Sequence, residues 1–213
     1  MDHLRRAGLK AFIRSFAIGA PGSSTMDVSD AVIIMLTGLW LFLPAMLPNS
    51  AAVVFGGGTP VDFGRTWKGK RILGDGKTWR GFFGGGLAGV VLGLILMGIS
   101  YIFDKENLWG YIGLWKGLCV ISCLSFGSLL GDMLGSFIKR RLGIDRGQKA
   151  PILDQYDFVI GAFLLTVVFN WRWVYETYAE NILALIFLLL LIPLVHRAVN
   201  IIGYKAGLKK EPW

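Results

Sequence analysis

Cysteine and histidine are nearly absent from this chain, with two of each among 213 residues. Cys119 and Cys123 stand four apart in an apolar run with no histidine nearby. That excludes a zinc site, and a disulfide within one helical turn is geometrically poor, so both read as small packing residues. His3 and His196 lie outside the charged loops, which leaves no well-placed imidazole as a general base. Other signatures are missing as well. Gly74-Asp75-Gly76-Lys77-Thr78 suggests a phosphate-binding P-loop, but that motif needs a glycine five residues before Gly76, where Arg71 stands. No inverted repeat of the transporter kind is visible, and loop charge exceeds charge within the apolar spans. The N-terminus lacks the small-residue cleavage pattern of a secretory signal.

Apolar surface is abundant. Hydrophobic residues make up 54% of the chain, with a mean hydropathy of +0.57. A soluble domain of this size cannot bury so much, so the bilayer must serve as solvent. A window of about 19 residues finds five apolar segments. They run from about Val28 to Leu47, Phe82 to Phe103, Ile112 to Leu134, Phe158 to Trp173 and Ile182 to Ile202. The expected fold class is all-α: a polytopic membrane protein of about five transmembrane helices with two large cytoplasmic loops. The 29 glycines suit close helix packing in lipid. Gly85, Gly89 and Gly93 repeat every fourth residue on the second segment, as do Gly127, Gly131 and Gly135 on the third. Both helices are expected to pack tightly, against each other as one arrangement.

Residues 1–26 form a separate unit before the membrane domain of 27–213. Leu4, Phe12, Ile13 and Phe16 alternate with Arg5, Arg6, Lys10 and Arg14, the pattern of an interfacial amphipathic helix too charged to span. Met26 is an alternative start. The net charge of +8 is concentrated in two loops and the C-terminal tail. The first loop carries Arg65, Lys68, Lys70, Arg71, Lys77 and Arg80; the second carries Lys139, Arg140, Arg141, Arg146 and Lys149; the tail adds Lys205, Lys209 and Lys210. The opposite side has only Lys105 and Arg172 in its loops, besides the basic N-terminal segment. Positive-inside counting therefore puts both loops and the C-terminus in the cytoplasm and the N-terminus outside, although the N-terminal cations point the other way.

That bias explains basic loops; it does not explain why they are also acidic and glycine-rich. The first reads FGGGTPVDFGRTWKGKRILGDGKTWRG, a folded, turn-rich segment holding Asp62 and Asp75 among six cations. Exposed glycine amides beside Lys and Arg make a cradle for phosphates. The third segment ends in GDMLGSFIKRR. Asp132 is costly near a membrane-helix end unless paired or functional. Ser136, Lys139 and Arg140 follow within two turns. Asp154 and Asp157, three apart, share a face of a helix starting near Pro151. Two readings stand: charge pairing that anchors loops at the interface, or a Mg²⁺ and phosphate site, since Mg²⁺ prefers oxygen ligands and is often shared with substrate phosphates.

GDMLGSFIKR followed by LDQYD resembles the signature of the CTP:phosphatidate cytidylyltransferase superfamily, and the first loop looks like its archaeal branch, the CDP-archaeol synthases. The resemblance covers about residues 30–205. The bacterial signature has a His-Gly-Gly run before Leu-Asp-x-x-Asp, where this chain has Lys149-Ala150-Pro151. Any role of that histidine does not carry over. The resemblance implies a Mg²⁺-dependent enzyme joining CTP to a prenylated glycerol-1-phosphate lipid, with pyrophosphate released. It implies catalytic roles for Asp132, Lys77, Lys139 and Arg140. Substrate binding falls to Asp62, Lys68, Gly74, Asp75, Gly76, Thr78, Arg80 and Ser136, and metal binding to Asp132, Asp154 and Asp157. The partners implied are CTP, the lipid phosphate and membrane lipids, with no nucleic acid and no obligatory protein partner. A CDP-alcohol phosphotransferase would need Asp-Gly-x-x-Ala-Arg with a later Gly-x-x-x-Asp-x-x-x-Asp, and neither is present.

Overall fold

The computed structural model describes residues 28–104, 109–111, 113–145, 148 and 150–207. The amphipathic segment expected over 1–26, and the cations Lys105, Arg146, Lys149, Lys209 and Lys210, lie outside them. Among the described residues the chain runs α1 (Val28–Met46), α2 (Pro48–Phe55), β1 (Thr66–Trp67), β2 (Lys70–Arg71), α3 (Trp79–Phe103), α4 (Leu114–Arg141), α5 (Pro151–Val174), a π-helical turn (Tyr175–Ala179) and α6 (Ile182–Lys205). Five helical stretches among the described residues are long and apolar enough to cross a membrane, α1 and α2 together making the first. Large apolar side chains such as Leu87, Val168 and Leu190 remain exposed on their outer faces, as a bilayer solvent requires.

Two helices extend past the apolar segments. α4 continues to Arg141, seven residues beyond the expected limit at Leu134. α5 starts at Pro151, as the spacing of Asp154 and Asp157 implied, seven residues before the apolar segment begins at Phe158. Hydropathy marks the hydrocarbon layer, whereas a helix can continue into the interface on its own backbone hydrogen bonds. Asp132 thus lies nine residues inside α4, and Ser136, Lys139 and Arg140 rise from the same helix.

In lipid every backbone group must be satisfied, and the prolines show how this is done. Pro48 has no N–H for the Pro44 carbonyl, one turn earlier; the Ser125 hydroxyl of α4 donates to that oxygen instead, at 3.1 Å. Pro193 frees the Leu189 carbonyl of α6 in the same way, and the Tyr156 hydroxyl of α5 supplies the donor at 3.0 Å. Each proline thereby ties its helix to a neighbour.

The two glycine rows face different partners and not each other. Along α3, Gly85 and Gly89 admit the carbonyls of Pro48 and Pro44 in the α1–α2 bend, while Gly89 and Gly93 also take Ser125 and Ile121 of α4, so the two helices do pack on each other. Along α4, Gly127 and Gly131 meet Gly161 of α5 backbone to backbone, and Gly135 meets the Asp157 side chain. This α4–α5 crossing is the most extensive helix contact among the described residues, and it holds the acidic residues of one helix against the basic end of the other. Gly161→Ala must separate the helices and should lower stability in detergent by about 1–3 kcal/mol. Gly98→Ala, at a position facing open space, should be neutral or slightly stabilising. Thermal unfolding of the two purified variants checks this; equal midpoints would contradict the crossing.

Candidate active site

The first loop is a small folded unit organised by Asp62. Its side chain is 1% exposed. Oδ2 accepts the amides of Leu73 (2.9 Å) and Gly74 (3.0 Å). Oδ1 accepts the Gly64 amide (3.1 Å) and the Arg71 guanidinium (2.7 Å). Burial alone would raise this carboxyl's pKa, but the bonds from Arg71, Gly74, Leu73 and Gly64 outweigh it and hold the group well below the usual carboxylate range. Arg71 in turn pairs with Asp75, and its own pKa is raised by the two carboxylates. Gly74 sits at φ +101°, a conformation that side chains resist, so its amide can turn back to Asp62.

Between Asp62 and Arg71 the chain makes a β-hairpin pairing Thr66 with Arg71 and Trp67 with Lys70. Its two-residue turn, Lys68-Gly69, has positive φ at both positions, the hand that matches strand twist. Arg141, the last residue of α4, anchors the hairpin: it donates to the carbonyls of Trp67 (2.7 Å) and Arg71 (2.8 Å) and lies over the rings of Trp67 and Phe137. The segment Gly74–Lys77 then passes over α4, and the Lys77 ammonium pairs directly with Asp132. Thr78 ends the loop as the N-cap of α3, its hydroxyl accepting the Gly81 amide.

These contacts enclose an open cavity of about 560 Å³ between the hairpin loop and the end of α4. Gly74, Gly76, Lys77, Ser136, Lys139 and Arg140 contribute to its wall, and the lining as a whole presents five cations against two carboxylates. A smaller cavity of about 70 Å³ lies on the other side of Gly76 and Lys77, bounded by α2, α3 and the Asp132 region of α4. Lys68 and Arg80 are exposed and stand outside both linings; Lys68 occupies the hairpin tip and the Arg80 stem covers Gly58. Asp62 and Thr78 are committed to holding the loop, and Asp75 to Arg71.

The three carboxylates expected as metal ligands are placed unequally. Asp154 accepts from Lys139 (2.6 Å) and from the Ala150 amide (2.9 Å). Asp157 is 6% exposed and packs on Gly135; its Oδ1 accepts the Phe158 amide, while Oδ2 is buried with no partner. It lies within electrostatic reach of Asp132, Lys139 and Lys77. Among the described residues no three His, Cys, Asp or Glu side chains group together to hold a metal. A Mg²⁺ ion shared with phosphates needs only one or two carboxylates, however. Asp132 with the orphaned Asp157 Oδ2 fits that requirement.

Residues 31–213 match the family described as CarS-like: CDP-archaeol synthase. The chain belongs to this family. It is similar to the CDP-archaeol synthase of Methanospirillum hungatei JF-1, 51% identical over 177 residues that cover 80% of this chain and 99% of the relative. The Methanoculleus marisnigri CDP-archaeol synthase is 47% identical over 172 residues, with 80% and 99% covered. That of Pyrococcus horikoshii is 44% identical over 180 residues, with 84% and 97% covered. A solved structure described as an intramembrane enzyme for archaeal membrane lipids biosynthesis superposes with a TM-score of 0.54 at 34% identity, covering 82% of this chain and 95% of its own. The protein is a multi-pass membrane cytidylyltransferase of archaeal lipid synthesis.

Three features of the site escaped the sequence reading: Arg71 and Arg141 as anchors of the hairpin, and Gly161 as the partner of the α4 glycines. Gly161, alone in an apolar run, gave no periodic signal. The low pKa of Asp62 carries a pH dependence. Its unfolded value is about 3.9, so its contribution is complete above that value and is lost as the pH falls toward the depressed folded pKa. In Asp62→Asn, hydrogen exchange at Gly64, Leu73 and Gly74 should rise at least about tenfold at neutral pH, the factor for losing about 1.4 kcal/mol. In the unsubstituted protein the protection should persist down to about pH 4. Erosion beginning near pH 6 would contradict this assignment.

Proposed function

We propose that the larger cavity binds CTP and that a phosphate oxygen of 2,3-bis-(O-geranylgeranyl)-glycerol 1-phosphate attacks its α-phosphorus. A new P–O bond forms, the bond from the α-phosphorus to the bridging oxygen breaks, and pyrophosphate leaves with that electron pair. The nucleophile is already ionised at neutral pH, so no general base is needed, in keeping with the absence of histidine from both loops. What the step requires is neutralisation of the triphosphate and alignment of two anions that repel each other. Lys139 and Arg140 of α4 clamp phosphate oxygens from one side, where Ser136 adds a hydroxyl; Lys77 and the Gly76 amide approach from the loop side. Lys77 is held at Asp132 in the structure and exchanges part of that pairing for the incoming anion.

Asp132 and Asp157 would hold Mg²⁺, with Asp154 behind them fixing Lys139. When bound, the ion supplies charge neutralisation on the triphosphate and the leaving pyrophosphate. The residues themselves position the anions, and the Gly74–Lys77 segment closes over them. The two loops and the C-terminus face the cytoplasm, where CTP is dissolved, and the N-terminus lies outside; residues 27–213 act as one membrane-embedded domain. The single observation that carries this reading is the Lys77–Asp132 contact, which joins the glycine-rich loop to the acidic and basic end of α4.

Purified protein given labelled CTP, Mg²⁺ and the lipid phosphate should move label into the organic phase, and a chelator should stop it. Asp132→Asn should lower incorporation at least about 100-fold while leaving the detergent-solubilised fold intact, the scale for removing one transition-state electrostatic contact. Full activity in Asp132→Asn, or label transfer that ignores the chelator, would sink the metal assignment.

A further inference from the structure

Asn49 is a polar residue on a short apolar helix, and its side chain is unexplained by packing. It lies in the first turn of α2, whose sequence is PNSAAVVF. Its Oδ1 is buried and has no hydrogen-bond partner. Leaving a buried carboxamide oxygen without a donor is costly, which a polar side chain with no role on an apolar helix would not be expected to carry. It lines the smaller cavity together with Ala52, Lys77, Thr78, Phe82 and Asp132.

The two cavities differ in what they can hold. About 560 Å³ suits a nucleoside triphosphate, whereas about 70 Å³ admits only a small polar group. Gly76 and Lys77 line both, so an anion in the small cavity and a phosphate chain in the large one would meet at Lys77. The helices that bound the small cavity also present apolar surface outward: Val54 and Phe55 on α2 and Phe83 and Leu87 on α3 are exposed. In a membrane that surface faces acyl or prenyl chains. A molecule with a small anionic head and apolar tails matches both the cavity and its surroundings.

We propose that the small cavity seats the phosphate head of the lipid substrate and that Asn49 is the positioning residue which orients it. The inference rests on CTP occupying the larger cavity, as proposed above. A carboxamide offers two N–H donors and one acceptor. The Asn49 amide donates to a lipid phosphate oxygen, and a phosphate-bound water or the Lys77 ammonium donates to Oδ1. The contact sets the angle at which the lipid oxygen faces the nucleotide. It is distinct from the charge neutralisation supplied by Lys77, which both substrates feel.

Steady-state kinetics of the full chain in mixed micelles, varying each substrate in turn, tests this. Asn49→Ala should raise the KM for the lipid phosphate about tenfold, the factor for about 1.4 kcal/mol, while the KM for CTP stays within about twofold. Asn49→Asp should be worse, because a carboxylate repels the phosphate, and Asn49→Ser, which keeps a donor, should recover part of the loss. Equal changes in both KM values, or no change in the lipid KM, would overturn the proposal. Should Asn49→Ala fail to fold, Asn49→Ser and Asn49→Asp decide: a merely structural asparagine would show no difference between them in the ratio of the two KM values. Equilibrium CTP binding without lipid separates this inference from the reading beneath it. If Lys139→Ala leaves CTP binding unchanged, CTP has been misplaced. If Lys139→Ala weakens CTP binding and Asn49→Ala leaves the lipid KM unchanged, the role of Asn49 alone is refuted.

Discussion

The pairing of Lys77 with Asp132 is the constraint on which the site depends. It spans 55 positions in sequence and joins a water-facing loop to a helix that enters the membrane. An aspartate at that depth is costly unless a cation answers it. The cation comes from a loop that has no regular structure of its own beyond a two-strand hairpin. The loop can deliver it because Asp62 fixes the turn at Gly74 and Arg141 fixes the hairpin to the end of α4. Both anchors are charged groups bonded to backbone, which suits a segment too short and too polar for an apolar core.

The helices supply the rigid counterpart. Small residues at the α4–α5 crossing allow the two backbones to touch, and that closeness places Asp157 beside the row carrying Asp132, Ser136 and Lys139. Prolines 48 and 193 would each leave a carbonyl unsatisfied in lipid, and a hydroxyl from a neighbouring helix answers each one. Features that weaken single helices therefore specify how the helices assemble. The orphaned oxygens of Asp157 and Asn49 stand apart from this pattern of satisfied polar groups: Asn49 lines the small cavity with Asp132, and Asp157 lies within electrostatic reach of Asp132.

The five spans and the chemistry-bearing loops were legible in the sequence because bilayer immersion and loop charge are local properties of composition. The i, i+3 and i, i+4 spacings of Asp154, Asp157, Asp132 and Ser136 also read correctly, since α4 and α5 are helical throughout those stretches. Roles inside the first loop were not legible. Asp62, Asp75, Gly74 and Thr78 looked like one phosphate-binding set, but Asp62 and Thr78 hold the loop and its neighbouring helix, and that division depends on hydrogen bonds between residues up to 12 apart. The partners of the glycine rows were hidden for the same reason: spacing shows that a groove exists, not which helix fills it. The end of α4 was misplaced because charge ends an apolar run without ending a helix, whereas the start of α5 near Pro151 was read from the spacing of its two aspartates.

A double-mutant cycle on CTP binding, using Lys77→Met, Asp132→Asn and the pair together, tests the central interaction most directly. Groups that act as one unit give non-additive losses, so the double variant should lose less than the sum of the single losses, with a coupling of at least about 1 kcal/mol. Additive losses would mean that Lys77 and Asp132 act independently, and the joining of loop and helix at this contact would not be what builds the site.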